Sequence, residues 1–148
     1  MKLFNREKSD AVIIVGCGRF GAALATTGSN RKLNITVIDI DTAAFNNLPA
    51  SYRGFSIEGD GTDMNTLETA GILSADVLVA ATDDDNTNLM IAQIAKQHYK
   101  VEHVVARIYD DSKEVSCGQI GIETVCPVVL SISEAQEIIF NAKEEKAV

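Results

Sequence analysis

Short β-branched runs alternate with longer mixed stretches along this chain. Runs such as Val12-Ile13-Ile14-Val15 and Ile35-Thr36-Val37-Ile38 have the length and composition of buried strands. The pattern predicts strands over 12–15, 35–39, 54–58, 76–81, 104–108 and 122–126. Between them lie stretches with helical spacing. One opens at Ala22-Ala23-Leu24-Ala25 and ends near Ser29-Asn30-Arg31, and the next, 42–48, stops at Pro49. A third covers 64–70 before Gly71, and a long one follows Thr82-Asp83-Asp84-Asp85 as far as Lys96. A weaker helix is expected over 112–119, with Gly118 in its last turns, and a final one over 131–143 after Pro127 closes the sixth strand. Strict alternation of this kind predicts an α/β fold, a doubly wound parallel six-stranded sheet of the Rossmann-like NAD(P)-binding type. The expected organisation is a flexible lead-in over 1–10, one domain over 11–143 and a short tail over 144–148.

The first strand runs into Gly16-Cys17-Gly18-Arg19-Phe20-Gly21, a G-x-G-x-x-G corner opening a helix. Gly16 permits the tight turn, Gly18 lets a phosphate approach bare backbone, and Gly21 lets the helix pack close to the strand. In this strand–turn–helix context the pattern points to a pyrophosphate on a helix N-terminus. The acid that should accept ribose hydroxyls about twenty positions on is Asp39, at the end of the second strand. The alternative is that Asp39 caps the next helix, although Asp41 and Thr42 are also available as caps. No Arg or Lys directly follows Asp39, so a ribose with free hydroxyls is preferred over a 2′-phosphate. In such a sheet the ligand lies across the carboxyl ends of the strands. The candidate site is therefore Gly16 to Gly21, Asp39, Asp60-Gly61-Thr62, Ala81-Thr82-Asp83 and Arg107. Arg19 and Arg107 can hold phosphates through guanidinium forks.

Composition narrows the partners. At 148 residues the chain is one ordinary domain, and a net charge of −8 argues against nucleic acid. No apolar run approaches the roughly 20 residues that span a bilayer, so no direct membrane insertion is expected. Charged residues occupy the place of a leader's apolar region, and a cytoplasmic location is expected. Cys17, Cys117 and Cys126 suggest neither a disulfide framework nor a zinc site. Cys17 reads either as a small filler or as a thiol with a pKa lowered by the helix N-terminus. Asp83-Asp84-Asp85 suits a helix cap better than a divalent metal.

With these residues in place, the chain resembles the TrkA-N family, also called the KTN or RCK N-terminal domain, found in regulators of potassium conductance and uptake. The segments that carry the resemblance are GCGRFG, VIDID, EGDGTDMNTLETAGI, ADVLVAATDDDNTN, VARI and IGIETVCP, and it covers Ala11 to about Ala142. It implies a regulatory subunit that binds NAD(H), ATP, ADP or AMP and acts on a membrane potassium transporter or channel. By resemblance Arg19 lies at the phosphates, Asp39 at the ribose, Asp60 and Gly61 near the adenine, Thr82 along the inner edge, and Arg107 at a second phosphate contact; Ile40 and Asp41, next to Asp39, are counted among the cofactor-binding residues. Many members carry Glu where this chain has Val128, and many carry a further C-terminal domain.

Two other functional classes fit the same fold. A small NAD-dependent oxidoreductase would need an acid–base group beside the nicotinamide, whereas His98 and His103 flank the amino end of the fifth strand, away from the ligand. A structural dimerisation module is the other alternative. Leu89, Met90, Ile91, Ala92, Ile94 and Ala95 leave the long helix little polar face, and Ile132, Ala135, Ile138, Ile139 and Ala142 give the last helix another apolar face. Either these two helices cover each other or the chain forms a homodimer or higher oligomer. The expected function is nucleotide sensing without chemistry of its own.

Overall fold

The computed structural model describes residues 9–141, so the proposed tail over 144–148, most of the lead-in, and Ala142 and Lys143 of the last helix lie outside the described residues. Six parallel strands form one sheet in the order β3-β2-β1-β4-β5-β6. They are β1 (Ala11–Val15), β2 (Asn34–Asp39), β3 (Phe55–Glu58), β4 (Val77–Ala80), β5 (His103–Arg107) and β6 (Glu123–Val125). Their register sets Ile14 opposite Val37 on one side and Val79 on the other. Strand order reverses between β1 and β4, which opens a crevice at their carboxyl ends.

Alternation along β1 sends Ile13 and Val15 to one face and Ile14 to the other, and each face has its own core. The first combines Ile13, Val15, Leu78, Ala80, Val104 and Ala106 with Leu67 of α2 (Met64–Thr69), Ile91 and Ala92 of α3 (Asp85–Gln93), and Cys117 of α4 (Glu114–Gln119). The second sets Ile14, Val37 and Val79 against Ala22 and Ala25 of α1 (Arg19–Asn30). Small residues on α1 let its axis come close to the sheet, and Gly28 lies against Ile35.

Several boundaries differ from the sequence pattern for local reasons. The 42–48 segment is a 3-10 run, Thr42–Asn47, without a buried residue, and such short tight helices do not need a packed face. The long helix ends as α at Gln93 and finishes in a π turn, Ile94–His98. The 112–119 segment splits into a 3-10 turn, Asp111–Lys113, and α4. The final helix, α5 (Pro127–Gln136), starts earlier than 131 and continues as a π turn through Asn141. The sequence pattern assigns Pro127 only to the end of a strand. It also occupies the first turn of α5, where its fixed φ is already helical and its missing N–H would have had no partner. Ser9, the first described residue, donates its hydroxyl to the Ser74 carbonyl at 2.6 Å and to Asp76 at 3.1 Å.

Leu78→Ala removes a side chain with no exposed surface from the central strand β4, and should cost about 2–5 kcal/mol in urea unfolding. Val115→Ala, at a side chain 73% exposed, should stay within about 0.5 kcal/mol of the parent.

Candidate functional site

The turn from β1 into α1 is held from both sides. Gly16 sits at φ +107°, and its N–H donates to the Ile38 carbonyl at 2.8 Å. A Cβ there would collide with the Ala81 carbonyl beyond β4, and one at Gly21 would collide with the Gly16 carbonyl. Gly18 is different: it is exposed, and open space lies where its Cβ would be. α1 then begins with no side-chain cap and no acidic residue in its first turn. Its orphan amides are left to an external acceptor.

Across the crevice, Asp39 closes β2. Its Oδ2 accepts the Cys17 N–H at 2.8 Å, and its Oδ1 accepts the Asp41 N–H at 2.9 Å. The Asn47 amide donates to the Cys17 carbonyl at 2.9 Å, so the glycine turn is tied down at both ends of one residue. A carboxylate accepts about four hydrogen bonds, which leaves Asp39 capacity for hydroxyls in the cleft. The capping role falls to Asp41, which accepts from the Ala43 N–H.

The β4 side is organised by Asn88, only 1% exposed. Its Oδ1 accepts from the Thr82 N–H and hydroxyl at 2.8 and 2.6 Å, while its Nδ2 donates to the carbonyls of Thr82 and Arg107 at 3.0 and 2.8 Å. All four contacts lie on the chain's own backbone or Thr82. Arg107 is buried as well. Its Nη2 donates to the Thr82 carbonyl at 2.8 Å and reaches Asp83 at 3.4 Å. The guanidinium carbon lies 5.2 Å from the Phe20 ring centroid and 5.5 Å from that of Tyr109, within cation–π range of both. Its buried Nε has no hydrogen-bond partner.

Of the three consecutive acids, Asp84 caps α3 by accepting from the Thr87 N–H and hydroxyl, which holds its carboxyl below the usual range. Asp85 accepts the N–H groups of Tyr109 and Asp110 at 2.9 and 3.0 Å, linking α3 to the loop after β5. Asp83 is fully exposed. Asp60 is likewise held low, by the N–H and hydroxyl of Thr62.

These elements enclose a cleft of about 420 Å³, within the usual size of small-molecule sites. Of the residues expected at the site, Gly16, Gly18, Asp39, Ile40, Asp41, Asp60, Gly61, Ala81, Thr82 and Asp83 line it. Cys17, Arg19, Phe20, Gly21, Thr62 and Arg107 do not line it. Cys17 contributes its backbone, Gly21 the close approach of α1, and Thr62 the orientation of Asp60; Arg19 is exposed at the start of α1. Ala44, Gly59, Asp84 and Thr87 line the cleft without having been singled out as site residues. A cap pattern, acid then Thr three positions on, was the available signal for the last two. His103 begins β5 at the opposite end of the sheet.

Cys17 resolves toward the filler reading. It is fully buried with Ile14, Ala22 and Ala25, and burial, with Asp39 adding, pushes its thiol up to about 11. Desolvation outweighs the helix N-terminus here.

Fold and cleft together define a Rossmann-like α/β domain with its cleft at the carboxyl ends of the strands. Residues 12–127 match the family model of the TrkA-N domain, and the chain belongs to that family. It is 38% identical over 117 residues to the Trk system potassium uptake protein TrkA of Streptomyces coelicolor, covering 79% of this chain and 52% of that protein. The chain thus spans about half the length of that relative. In fold it is similar to the TrkA-N domain of the inner membrane protein ybaL from Escherichia coli, with a TM-score of 0.78, 16% identity, and coverage of 90% of this chain and 98% of that one. It also resembles the Shewanella denitrificans Kef CTD in its AMP-bound form, with a TM-score of 0.74, 25% identity, and coverage of 89% and 80%.

Two outcomes follow from the site's packing. Asn88→Leu removes the partner of the Thr82 N–H and of the Arg107 carbonyl, while Arg107 still donates to the Thr82 carbonyl, and should destabilise the fold by about 1–3 kcal/mol per stranded group in denaturant titration. The native Cys17 thiol should resist a disulfide reagent at pH 8 and react only on unfolding. Because its folded pKa lies above the ordinary 9.0, its contribution to stability is complete below pH 9 and is lost as pH rises toward 11. Rapid native labelling of Cys17 would contradict that burial.

Proposed function

We propose that this chain is a nucleotide-sensing regulatory module that binds NAD(H) or an adenine nucleotide and passes its occupancy to a membrane potassium transporter or channel in trans. One observation carries the reading: the uncapped amides at the start of α1, beside the open space over Gly18, face the Asp39 carboxylate across a single cleft. Amides suit phosphate, and the carboxylate suits ribose hydroxyls. The AMP carried by the Kef domain and the potassium uptake role in the name of the Streptomyces relative support the same assignment. ATP, ADP, AMP and NAD(H) all share the adenosine and phosphate groups that these residues address.

The module acts without chemistry of its own: the polar groups of the cleft are hydroxyls, amides and carboxylates, and no Lys, Arg or His among the described residues lines it. No helix among the described residues is long and apolar enough to cross a membrane, so the pore belongs to another span of polypeptide. Coupling requires that nucleotide bind two conformations of the assembly unequally, with about 1–3 kcal/mol as a typical difference. Neither Arg19 nor Arg107 lines the cleft, so the part assigned to them is indirect, with Arg19 opening α1 directly after the glycine turn. Arg107 braces Thr82, Phe20 and Tyr109 at once.

A homodimer or higher oligomer completes the proposal. None of α5's residues is buried, and Val128, Val129, Leu130, Ile132, Ile138, Ile139 and Phe140 stand exposed along it and its π turn. The long helix offers less, because Ile91, Ala92 and Ala95 already face the core and Met90 is its most exposed apolar side chain. Intramolecular cover of α5 by α3 is not what these burials describe.

Asp39→Ala should weaken adenine-nucleotide binding by about 1–3 kcal/mol in calorimetry, and unchanged affinity for every nucleotide would remove Asp39 from the ribose. Potassium flux through a co-purifying transporter should respond to nucleotide. Flux indifferent to both the protein and its ligand, or robust hydride transfer by the isolated chain, would defeat the regulatory reading.

A further inference from the structure

At the end of the sheet opposite the cleft, the amino ends of β1, β2, β4 and β5 surround a second hollow of about 180 Å³. Its floor is apolar: Val12, Leu33 and Val77 are half-buried there, at the edge of the core under α1. Its rim is charged. Asp10, Asp76 and Glu102 stand on it with His103, whose Nε2 lies 3.5 Å from Glu102, and no Lys or Arg among the described residues lines the hollow. A cavity of about 150 Å³ accepts a benzene ring, so the floor has room for one aromatic side chain. The rim favours positive charge on either side of that ring.

The chain enters the fold across this mouth. Asp10, at φ +50°, breaks the extended line of β1. Beyond it, Ser9 is fastened on both sides of β1: its hydroxyl donates to the Ser74 carbonyl and to Asp76 at 2.6 and 3.1 Å, and its carbonyl accepts from the Asn34 amide at 3.1 Å. The Asp76 N–H donates to the Ala11 carbonyl, and the Asp76 carbonyl accepts from the His103 N–H, so rim and entry point form one hydrogen-bonded unit. Residues 1–8, outside the described residues, are MKLFNREK and are joined directly to this rim. Side chains alternate along an extended segment, so Lys2, Phe4 and Arg6 share one face there, and Leu3, Asn5 and Glu7 share the other. On the first face the two cations would lie about 7 Å to either side of the ring, and the chain from Arg6 to Ser9 leaves about 10 Å for the connection.

We propose that segment 2–6 folds back into this hollow in cis, with Phe4 on Val12, Leu33 and Val77, Arg6 over Asp10 and Asp76, and Lys2 over Glu102. The segment is a strap that closes the amino end of the sheet, and the occupant of the hollow is this chain itself. Apolar floor and acidic rim match the order of cation, aromatic ring and cation on one face of the segment. The assignment is independent of what the carboxyl-end cleft binds.

The full chain contains no Trp, so Phe4→Trp places a single fluorescent reporter in the segment. Its emission should be blue-shifted in the native chain, and its quenching by acrylamide several-fold weaker than in urea. Lys2→Glu with Arg6→Glu in that background should return quenching to the unfolded level while the far-ultraviolet circular dichroism stays native. Glu102→Lys should loosen the strap by itself and recover shielding when combined with Lys2→Glu. Added salt should raise quenching part of the way, since exposed charges are screened over about 10 Å at 0.1 M. Without any reporter, trypsin should cut after Arg6 several-fold faster in the Phe4→Ala chain than in the parent. A Trp as accessible in the native chain as in urea, or equal trypsin rates, would overturn the strap. Shielding that the charge reversals leave unchanged would remove the segment from this rim, and shielding lost on dilution would place it on a second copy; either result also overturns the proposal.

Discussion

The short hydrogen bonds that fasten the β1–α1 turn are the constraint on which the rest of the cleft depends. Gly16 donates to Ile38, and Cys17 donates to Asp39, so the turn is registered against β2. On its other side, the turn lies so close to the Ala81 carbonyl that a side chain at Gly16 cannot be accommodated. A backbone pinned between β2 and β4 can leave the sheet in one direction only, and α1 follows from that direction. The positions of the amides, of the open space over Gly18 and of Asp39 are consequences of this one fastening.

The β4 side reaches a comparable rigidity through side chains. A single buried amide, Asn88, ties the backbone after β4 to the end of β5, and Asp85 ties α3 to the loop beyond. A fully paired buried amide fixes geometry because every alternative rotamer would leave stranded donors and acceptors. Arg107 lies on the same joint and contacts α1 through Phe20. Elements drawn from β1, β4 and β5 therefore share their supports, which is the physical condition for a ligand at one of them to be felt at the others.

The outer surface has a different logic. The two cores are complete around β1, β2 and β4, while α5 contributes nothing to either and carries a run of exposed apolar side chains. A helix of that composition is not stabilised by water on all sides. That exposed apolar face is what supports the proposed oligomer.

The sequence alone determined the alternation of strands and helices, because β-branched runs separated by helical spacing admit a parallel, doubly wound sheet and little else. It also determined much of the cleft: Gly16, Gly18, Asp39, Asp60 and Thr82 were legible because each stands at or just beyond the end of a strand in such a sheet, and ten of the expected residues do line the cavity. Tertiary structure decided what those positions do with their side chains. Cys17 is adjacent to a helix N-terminus in sequence, yet burial governs its thiol. Arg107 stands at a strand end like the others, yet two aromatic rings and the Thr82 carbonyl claim its guanidinium. Pro127 marks both a strand's end and a helix's start, and only the path of the chain says which. Local patterns report backbone periodicity, which depends on neighbours in sequence. Burial, partner choice and the sign of the field in a cleft depend on residues far apart in the chain, so they become defined only when the sheet brings them together.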